Sequence, residues 1–290
     1  RGDTVIDGAR AVAAAILGTS ELWQLPAGSH SQAWLCVRGS ERFVVRVGAQ
    51  RVEYERDDAA WRWWHDTGVV AEVLHIGDYG EMSTCVSRWC AGTPLERATG
   101  LGADDMNDML DRIATLQLPG SGYGPWEPSS GNAPGASWRE WLVESADAAA
   151  AACVAAGALS TSAAVRWCGV VGAASCPVGV RGPVHTDLGA SNVLVEDRPR
   201  APTLRFVVLD WANSVAGDPF YDAASLVFWD PWHAQLQNAL RALGWLDDDR
   251  IAPYAAHIGL QQLAFSVGAG RSNTGIAAVS ARMATLTAEH

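Results

Sequence analysis

No two of the six cysteines stand in a C-x-x-C spacing, and none clusters with histidine. That excludes the common zinc and dithiol redox patterns. Cys36, Cys85, Cys90, Cys153, Cys168 and Cys176 read as free thiols of a reducing, cytoplasmic compartment. Positive charge is also scarce. The net charge of −11 argues against a nucleic-acid partner, whose phosphates need Lys and Arg. A negative field instead concentrates a cationic small molecule, although the plainer reading is simple solubility. Long apolar runs are missing too. "ARAVAAAILG" (9–18) has a faint look of a secretion signal, but Asp3 and Asp7 stand where a positive flank belongs. The Ala-rich "SADAAAAACVAAGAL" carries Asp147 and Gly157 and is too weakly apolar to cross a membrane. No membrane partner is expected, no internal repeat is visible, and the chain reads as a monomer. There is no Walker pattern and no Gly-rich phosphate loop, since Gly28 stands alone in "PAGSHSQAW".

What is present is a globular chain of 290 residues with 49% hydrophobic and 18% charged residues. That is enough for one large domain or two lobes with a sizeable core. Residues 1–90 read as β-rich with one principal helix. In "FVVRV", Phe43, Val45 and Val47 share one face of a strand, while Val44 and Arg46 share the other. The stretch from Arg38 to Arg42 is a hairpin connection. Glu53 to Asp66 reads as a helix stopped by Thr67-Gly68. "EVLHIGDYGEMSTCVSRWC" holds two further strands around a Gly/Asp turn. A hinge is expected near Ser87–Cys90. Residues 91–290 then read as a larger, mostly helical lobe. Met106, Met109, Leu110, Ile113 and Leu116 share a helical face, and Gly120 to Ser137 is loop. The expected fold class is α+β: a bilobal arrangement of a small β-rich lobe and a larger, mostly helical one.

Chemistry concentrates in "VHTDLGASNVLVED" (184–197) and in "VVLDW" (207–211). Phosphoryl transfer needs nucleotide and acceptor held in line, metal ions on the phosphates and a carboxylate near the hydroxyl. Magnesium takes hard oxygen ligands, one or two carboxylates together with substrate phosphates. Asp210 supplies a carboxylate from a strand end, and Asn192 supplies a neutral amide oxygen. Asp187, five residues before Asn192, is placed to accept the hydroxyl proton. His185 holds the loop through hydrogen bonds. A purely structural reading has Asp187 and Asn192 shaping a turn and Asp210 capping a helix. In "GDPFYDAA", Asp222 anchors the catalytic-loop backbone and Asp218 caps the next helix, both in structural support.

On the nucleotide side the cation candidate is Arg46, oriented by an acid on the following helix, with Glu53, Glu55 and Asp57 competing for that role. Ser29 and Ser31 offer hydroxyls to a phosphate. Ser87 to Cys90, with Trp89 among them, offer backbone to an adenine by position alone. For the acceptor, "FWDPWH" (228–233) offers Trp229 and Trp232 as flat walls and Asp230 as a partner for an ammonium group. With 14 Trp in the chain, plain core packing is the competing reading.

Taken in order, "FVVRV", "SRWCAGTPL", "VHTDLGASNVLV", "VVLDW" and "GDPFYDAA" resemble the aminoglycoside phosphotransferase family. Within it the chain is most similar to the branch acting on hygromycin B, through "SGYGPWEP", "SWREWL", "SLVFWDPW" and "YAAHIGLQQLAFSV". The resemblance implies a protein-kinase-like fold, ATP or GTP as donor with Mg2+, and an aminocyclitol antibiotic hydroxyl as acceptor. It makes Asp187 the base, Asn192 and Asp210 the metal ligands, Arg46 the phosphate-facing cation and Asp57 its acid. Thr186 stands where the family usually has Gly. Three other readings differ in outcome: a kinase for another cationic antibiotic such as a tuberactinomycin peptide, a metabolic small-molecule kinase of this fold, and a nucleotide-binding protein without catalysis.

Overall fold

The computed structural model describes residues 2–26, 31–189, 191–196, 205–229, 238, 240–242, 244–270 and 273–288. The fold class is α+β. The chain separates into two compact units, residues 1–95 with 192–213, and residues 96–191 with 214–290.

The first unit is built on a five-stranded antiparallel sheet in the order β1-β2-β3-β5-β4. Its strands are β1 (Leu22–Gln24), β2 (Ser31–Arg38), β3 (Glu41–Gly48), β4 (Val73–Tyr79) and β5 (Met82–Arg88). The alternation in β3 is real: Phe43, Val45 and Val47 are buried and their neighbours less so. They join Trp34, Cys36 and Val86 in a core covered by Ala9, Val12, Ala13 and Leu17. Those last residues lie on α1 (Gly2–Val12) and its one-turn π continuation, Ala13–Leu17. β2 and β3 are joined by Gly39-Ser40, so the strands run further than the five-residue connection expected from sequence. Gly39 adopts φ +62°, a conformation that Gly reaches without steric cost.

Helix α2 (Arg51–Trp64) and the short 3-10 turn His65–Thr67 end at Gly68 in the left-handed region. The chain then passes Val69, whose carbonyl accepts from the Val208 N–H at 2.7 Å. Val208 ends β10 (Phe206–Val208), which pairs antiparallel with β9 (Val193–Val195), and β9 pairs with β6 (Thr93–Pro94). A small sheet in the order β10-β9-β6 therefore belongs to the first unit although its strands are far apart in sequence.

The second unit is helical. It holds α3 (Ala103–Ala114), α4 (Trp138–Ala155), α5 (Thr161–Gly172), α6 (Tyr221–Trp229), α7 (Ile251–Gly268) and α8 (Asn273–Ala288). The predicted α3 face is buried throughout, Leu116 just beyond the helix included. α7 packs against α4, α5, α6 and α8, which is why apolar residues occur on nearly all its sides. A three-stranded sheet, β7 (Gly124–Pro125), β11 (Val215–Gly217) and β8 (Gly182–Val184), has β11 in the middle. The stretch expected to be loop from Gly120 to Ser137 thus contributes a strand. Gly217 in β11 lies against the Trp138 ring, where a Cβ would come within 2.4 Å of a ring carbon. Among the described residues no helix is long and apolar enough to cross a membrane.

Candidate active site

In the first unit, the partly buried Arg46 and the buried Asp57 form an ion pair between β3 and α2. The sequence left Glu53, Glu55 and Asp57 as possible partners, and helical geometry separates them. Glu55 turns to Arg51 at 2.8 Å, while Asp57 faces the sheet. Arg46 also donates to Cys85 Sγ at 3.5 Å and lies over the Tyr54 ring, 5.1 Å from its centroid. Burial works against the guanidinium charge, but Asp57, Cys85 and Asp210 outweigh it, and the group stays charged well beyond its ordinary range. Burial raises the Asp57 carboxyl, opposed by Arg46. All 21 basic residues are arginine, so any side-chain cation facing a phosphate here is a guanidinium, or a protonated histidine.

The second oxygen of Asp57 accepts from the Trp211 N–H at 2.8 Å. That amide directly follows Asp210. Asp210 is exposed and takes φ +66°. Only Thr186 shares a positive φ among the described non-Gly residues. Such conformations cost on the order of 1–3 kcal/mol and concentrate at functional sites. The Leu209 N–H donates to the Asn192 carbonyl at 2.8 Å, extending the β9–β10 pairing by one step. This puts the Asn192 and Asp210 backbones at the same end of one hairpin, although eighteen positions separate them in sequence. Their donor chemistry, one carboxylate and one amide oxygen, fits a magnesium ion that completes its shell with phosphates and water. Among the described residues no three His, Cys, Asp or Glu side chains cluster as a self-sufficient metal cage.

The second unit carries Asp187. The segment after β8 is fixed by Asp222, a buried side chain in the first turn of α6. Its two oxygens accept from the His185 N–H at 2.8 Å and the Thr186 N–H at 3.0 Å. Burial pushes the Asp222 carboxyl up to about 6, against the lowering effect of His185 and the two N–H groups. His185 is fully buried, whereas Asp187 is exposed. Thr186 between them takes φ +69°, a conformation in which a β-branched residue is strained. Asp218 is also a structural hub. It accepts from the Phe220 N–H at 3.1 Å at the start of α6, pairs with Arg250 at 3.0 Å and accepts from Tyr254 Oη at 2.8 Å.

The remaining predicted residues are placed as follows. Ser31 opens β2 opposite Gly48. Ser87 sits in β5, paired with Val44 on one side and Val73 on the other. The Trp89 N–H donates to the Arg42 carbonyl at 3.0 Å. The pairing of Ser87 and the Trp89 N–H are thus taken up within the sheet. Trp229 is the last residue of α6, half-buried, with its ring edge-on to Phe228 at 5.0 Å. Ser29, Asp230 and Trp232 lie outside the described residues. Sequence reasoning missed Cys85, Tyr54, Arg56 and Trp211. Cys85, Tyr54 and Arg56 owe their places near Arg46 or the Asp210 turn to strand register or helix phase, which no motif marks, and Trp211 stands in "VVLDW" only as the neighbour of Asp210.

The chain matches the phosphotransferase enzyme family over residues 21–254 and belongs to it. It has the kinase-like fold of that family, and it is a phosphotransferase. It is 30% identical over 258 residues to the Hygromycin-B 4-O-kinase of Escherichia coli, covering 84% of this chain and 74% of that enzyme. Among solved structures it is similar to an apo thermostable mutant of the aminoglycoside phosphotransferase APH(4)-Ia, at 25% identity and TM-score 0.75, covering 97% of this chain and 98% of that one. It is also similar to a thermostable mutant of APH(4)-Ia in ternary complex with AMP-PNP and hygromycin B, at 25% identity and TM-score 0.74, covering 97% of this chain and 98% of that one.

Proposed function

We propose that this phosphotransferase moves the γ-phosphate of ATP or GTP onto a hydroxyl of a cationic aminocyclitol antibiotic, with hygromycin B the foremost acceptor, and so confers resistance. The observation that carries this reading is the state of Asp187: an exposed carboxylate beside two backbone N–H groups tied down by the buried Asp222. A carboxylate held in this way suits proton acceptance from a hydroxyl. The named relative acts on hygromycin B, and the acidic balance of this chain favours a cationic acceptor.

In the proposed reaction the acceptor oxygen attacks the γ-phosphorus as its proton passes to Asp187, and the bond to the β-phosphate oxygen breaks. Asn192 and Asp210 hold magnesium, which offsets phosphate charge when bound. Arg46, kept charged by Asp57, faces the triphosphate, and Ser29 and Ser31 add hydroxyls to it. Residues 1–90 form the nucleotide lobe, with adenine at the segment of Ser87 and Trp89, against the backbone groups that their sheet bonds leave free, and residues 91–290 carry the base and the acceptor pocket. Trp229, Asp230 and Trp232 meet the aminocyclitol. The enzyme works as a cytoplasmic monomer, where its nucleotide is abundant.

The test is nucleotide turnover with magnesium against hygromycin B, other aminoglycosides, tuberactinomycins and common amino alcohols, with product mass recorded. A gain of one phosphate on hygromycin B is expected. A gain confined to another acceptor would move the substrate assignment and keep the catalytic one. Turnover retained in Asp187→Asn would remove Asp187 from its role.

A further inference from the structure

Helix α2 does more than supply Asp57. One residue earlier, Arg56 donates to the Ala212 carbonyl at 2.7 Å. Two helical turns beyond Asp57, Trp64 packs its ring against Trp211 at 4.9 Å. Together with the Asp57 bond to the Trp211 N–H, α2 grips three groups of the Trp211–Asn213 turn: the N–H and indole of Trp211 and the carbonyl of Ala212. The turn begins directly after Asp210, the exposed carboxylate with φ +66°. A residue in that conformation stays there only when its surroundings over-determine it.

The two sides of the turn are not held alike. Upstream of Asp210, the backbone is held by sheet bonds, Val208 to Val69 and Leu209 to Asn192. Downstream, at Trp211 and Ala212, it is held by α2 side chains, and Arg56 is the charged donor among them. Arg56 is half-buried, and burial draws its guanidinium below the ordinary range, with Glu53 on the same helix acting against that. Trp211 and Ala212 are themselves buried, so the Ala212 carbonyl needs a donor inside the protein, and a guanidinium holds it more strongly than a neutral group would.

We infer that Arg56 is a positioning residue, which fixes the Asp210 carboxylate for its metal through the Ala212 carbonyl. The inference rests on Asp210 facing the metal in the proposed function. Groups that hydrogen-bond a metal ligand set metal affinity by about 10–100-fold while touching no metal, and Arg56, bonded to backbone two residues from Asp210, belongs at the lower end of that range.

The experiment measures Mn2+ binding by electron paramagnetic resonance in the complex of the full chain with AMP-PNP, alongside AMP-PNP binding without metal and thermal melting. Arg56→Gln is expected to weaken Mn2+ by about tenfold with metal-free nucleotide affinity held. Arg56→Lys, which keeps a cationic donor, should recover part of that loss. Mn2+ affinity unchanged in Arg56→Gln, whatever its melting temperature, overturns the inference. If Arg56→Gln does not melt cooperatively, Arg56→Lys decides: weakened metal with an intact melt supports the role, and wild-type metal affinity ends it. Asp210→Asn separates the two readings. Mn2+ affinity unchanged in that variant overturns the assignment of Asp210, and with it this inference. Loss in Asp210→Asn without loss in Arg56→Gln overturns the inference alone.

Discussion

Asp57 holds the Arg46 guanidinium with one carboxylate oxygen and the Trp211 N–H with the other. One buried side chain thereby sets both the cation on β3 and the backbone that follows Asp210. Asp57→Ala leaves a partly buried guanidinium without its acid and a buried N–H without its acceptor. Removing one member of a buried pair costs about 3–5 kcal/mol, and urea unfolding should show a loss of that order. Asp57→Asn keeps an oxygen for the Trp211 N–H and should lose less stability, while nucleotide affinity falls in both.

Thr186 at φ +69° makes an opposite prediction. The left-handed conformation costs an L-residue about 1–2 kcal/mol, and Gly carries an entropic cost of about 0.5–1 kcal/mol. Thr186→Gly should therefore stabilise by roughly 0.5–1 kcal/mol, a rise of about 2 °C in melting temperature. Because Asp222 continues to hold the amide, kcat should stay within about twofold of wild type. A drop in melting temperature would mean that the threonine side chain has a stabilising contact outweighing its strain.

Arg181 donates to five carbonyls, those of Leu118, Pro119, Ser121, Gly122 and Gly131, at 2.6–3.4 Å. It closes the 118–131 stretch around one guanidinium. Hydrogen bonds to charged groups contribute about 1.5–3 kcal/mol each and do not add fully. Arg181→Met should lose on the order of 3 kcal/mol and admit protease cleavage between residues 118 and 137, readable by mass spectrometry.

Two buried groups in the second unit oppose each other in pH dependence. His257 accepts from Tyr221 Oη at Nδ1 and meets Ser145 Oγ at Nε2, both at 2.8 Å. Since Ser145 also reaches the Trp141 carbonyl at 2.6 Å, its hydroxyl donates there and His257 Nε2–H donates to it. Burial lowers the imidazole to about 3 from 6.5. The unfolded chain binds that proton more readily, so this contribution is full above 6.5 and declines as pH falls toward 3. Asp222 runs the other way. Its folded value of about 6 exceeds 3.8, so its contribution is greatest below 3.8 and declines as pH rises toward 6. Each slope is about 1.4 kcal/mol per pH unit, and between pH 4 and 6 the two nearly cancel. His257→Gln should unmask a stability that rises on acidification through this window, and Asp222→Asn one that falls. Urea midpoints at pH 4, 5 and 6 check both signs.

Much of this was legible in the chain itself. Period-two alternation fixed the buried face of β3, and period 3.6 fixed that of α3, because solvent exclusion writes itself into residue spacing. The short-range chemistry was legible too. Asp187, Asn192 and Asp210 sit in loops bounded by apolar strands, and the two carboxylates of "GDPFYDAA" are close enough to the helix start to read as anchors. What spacing does not encode is which residue of a helix meets which strand. Glu53, Glu55 and Asp57 are equivalent acids in the sequence, and only the phase of α2 against the sheet selects Asp57. The pairing of β9 with β6, and the placing of residues 192–213 in the first unit, depend on contacts far apart in the chain. The same holds for Arg56 on the Ala212 carbonyl and for the left-handed turns at Thr186 and Asp210. Local composition determined the elements and the reactive groups. Their mutual orientation, and the strain held at the two turns, was decided by long-range packing and hydrogen bonding, which no short stretch of sequence contains.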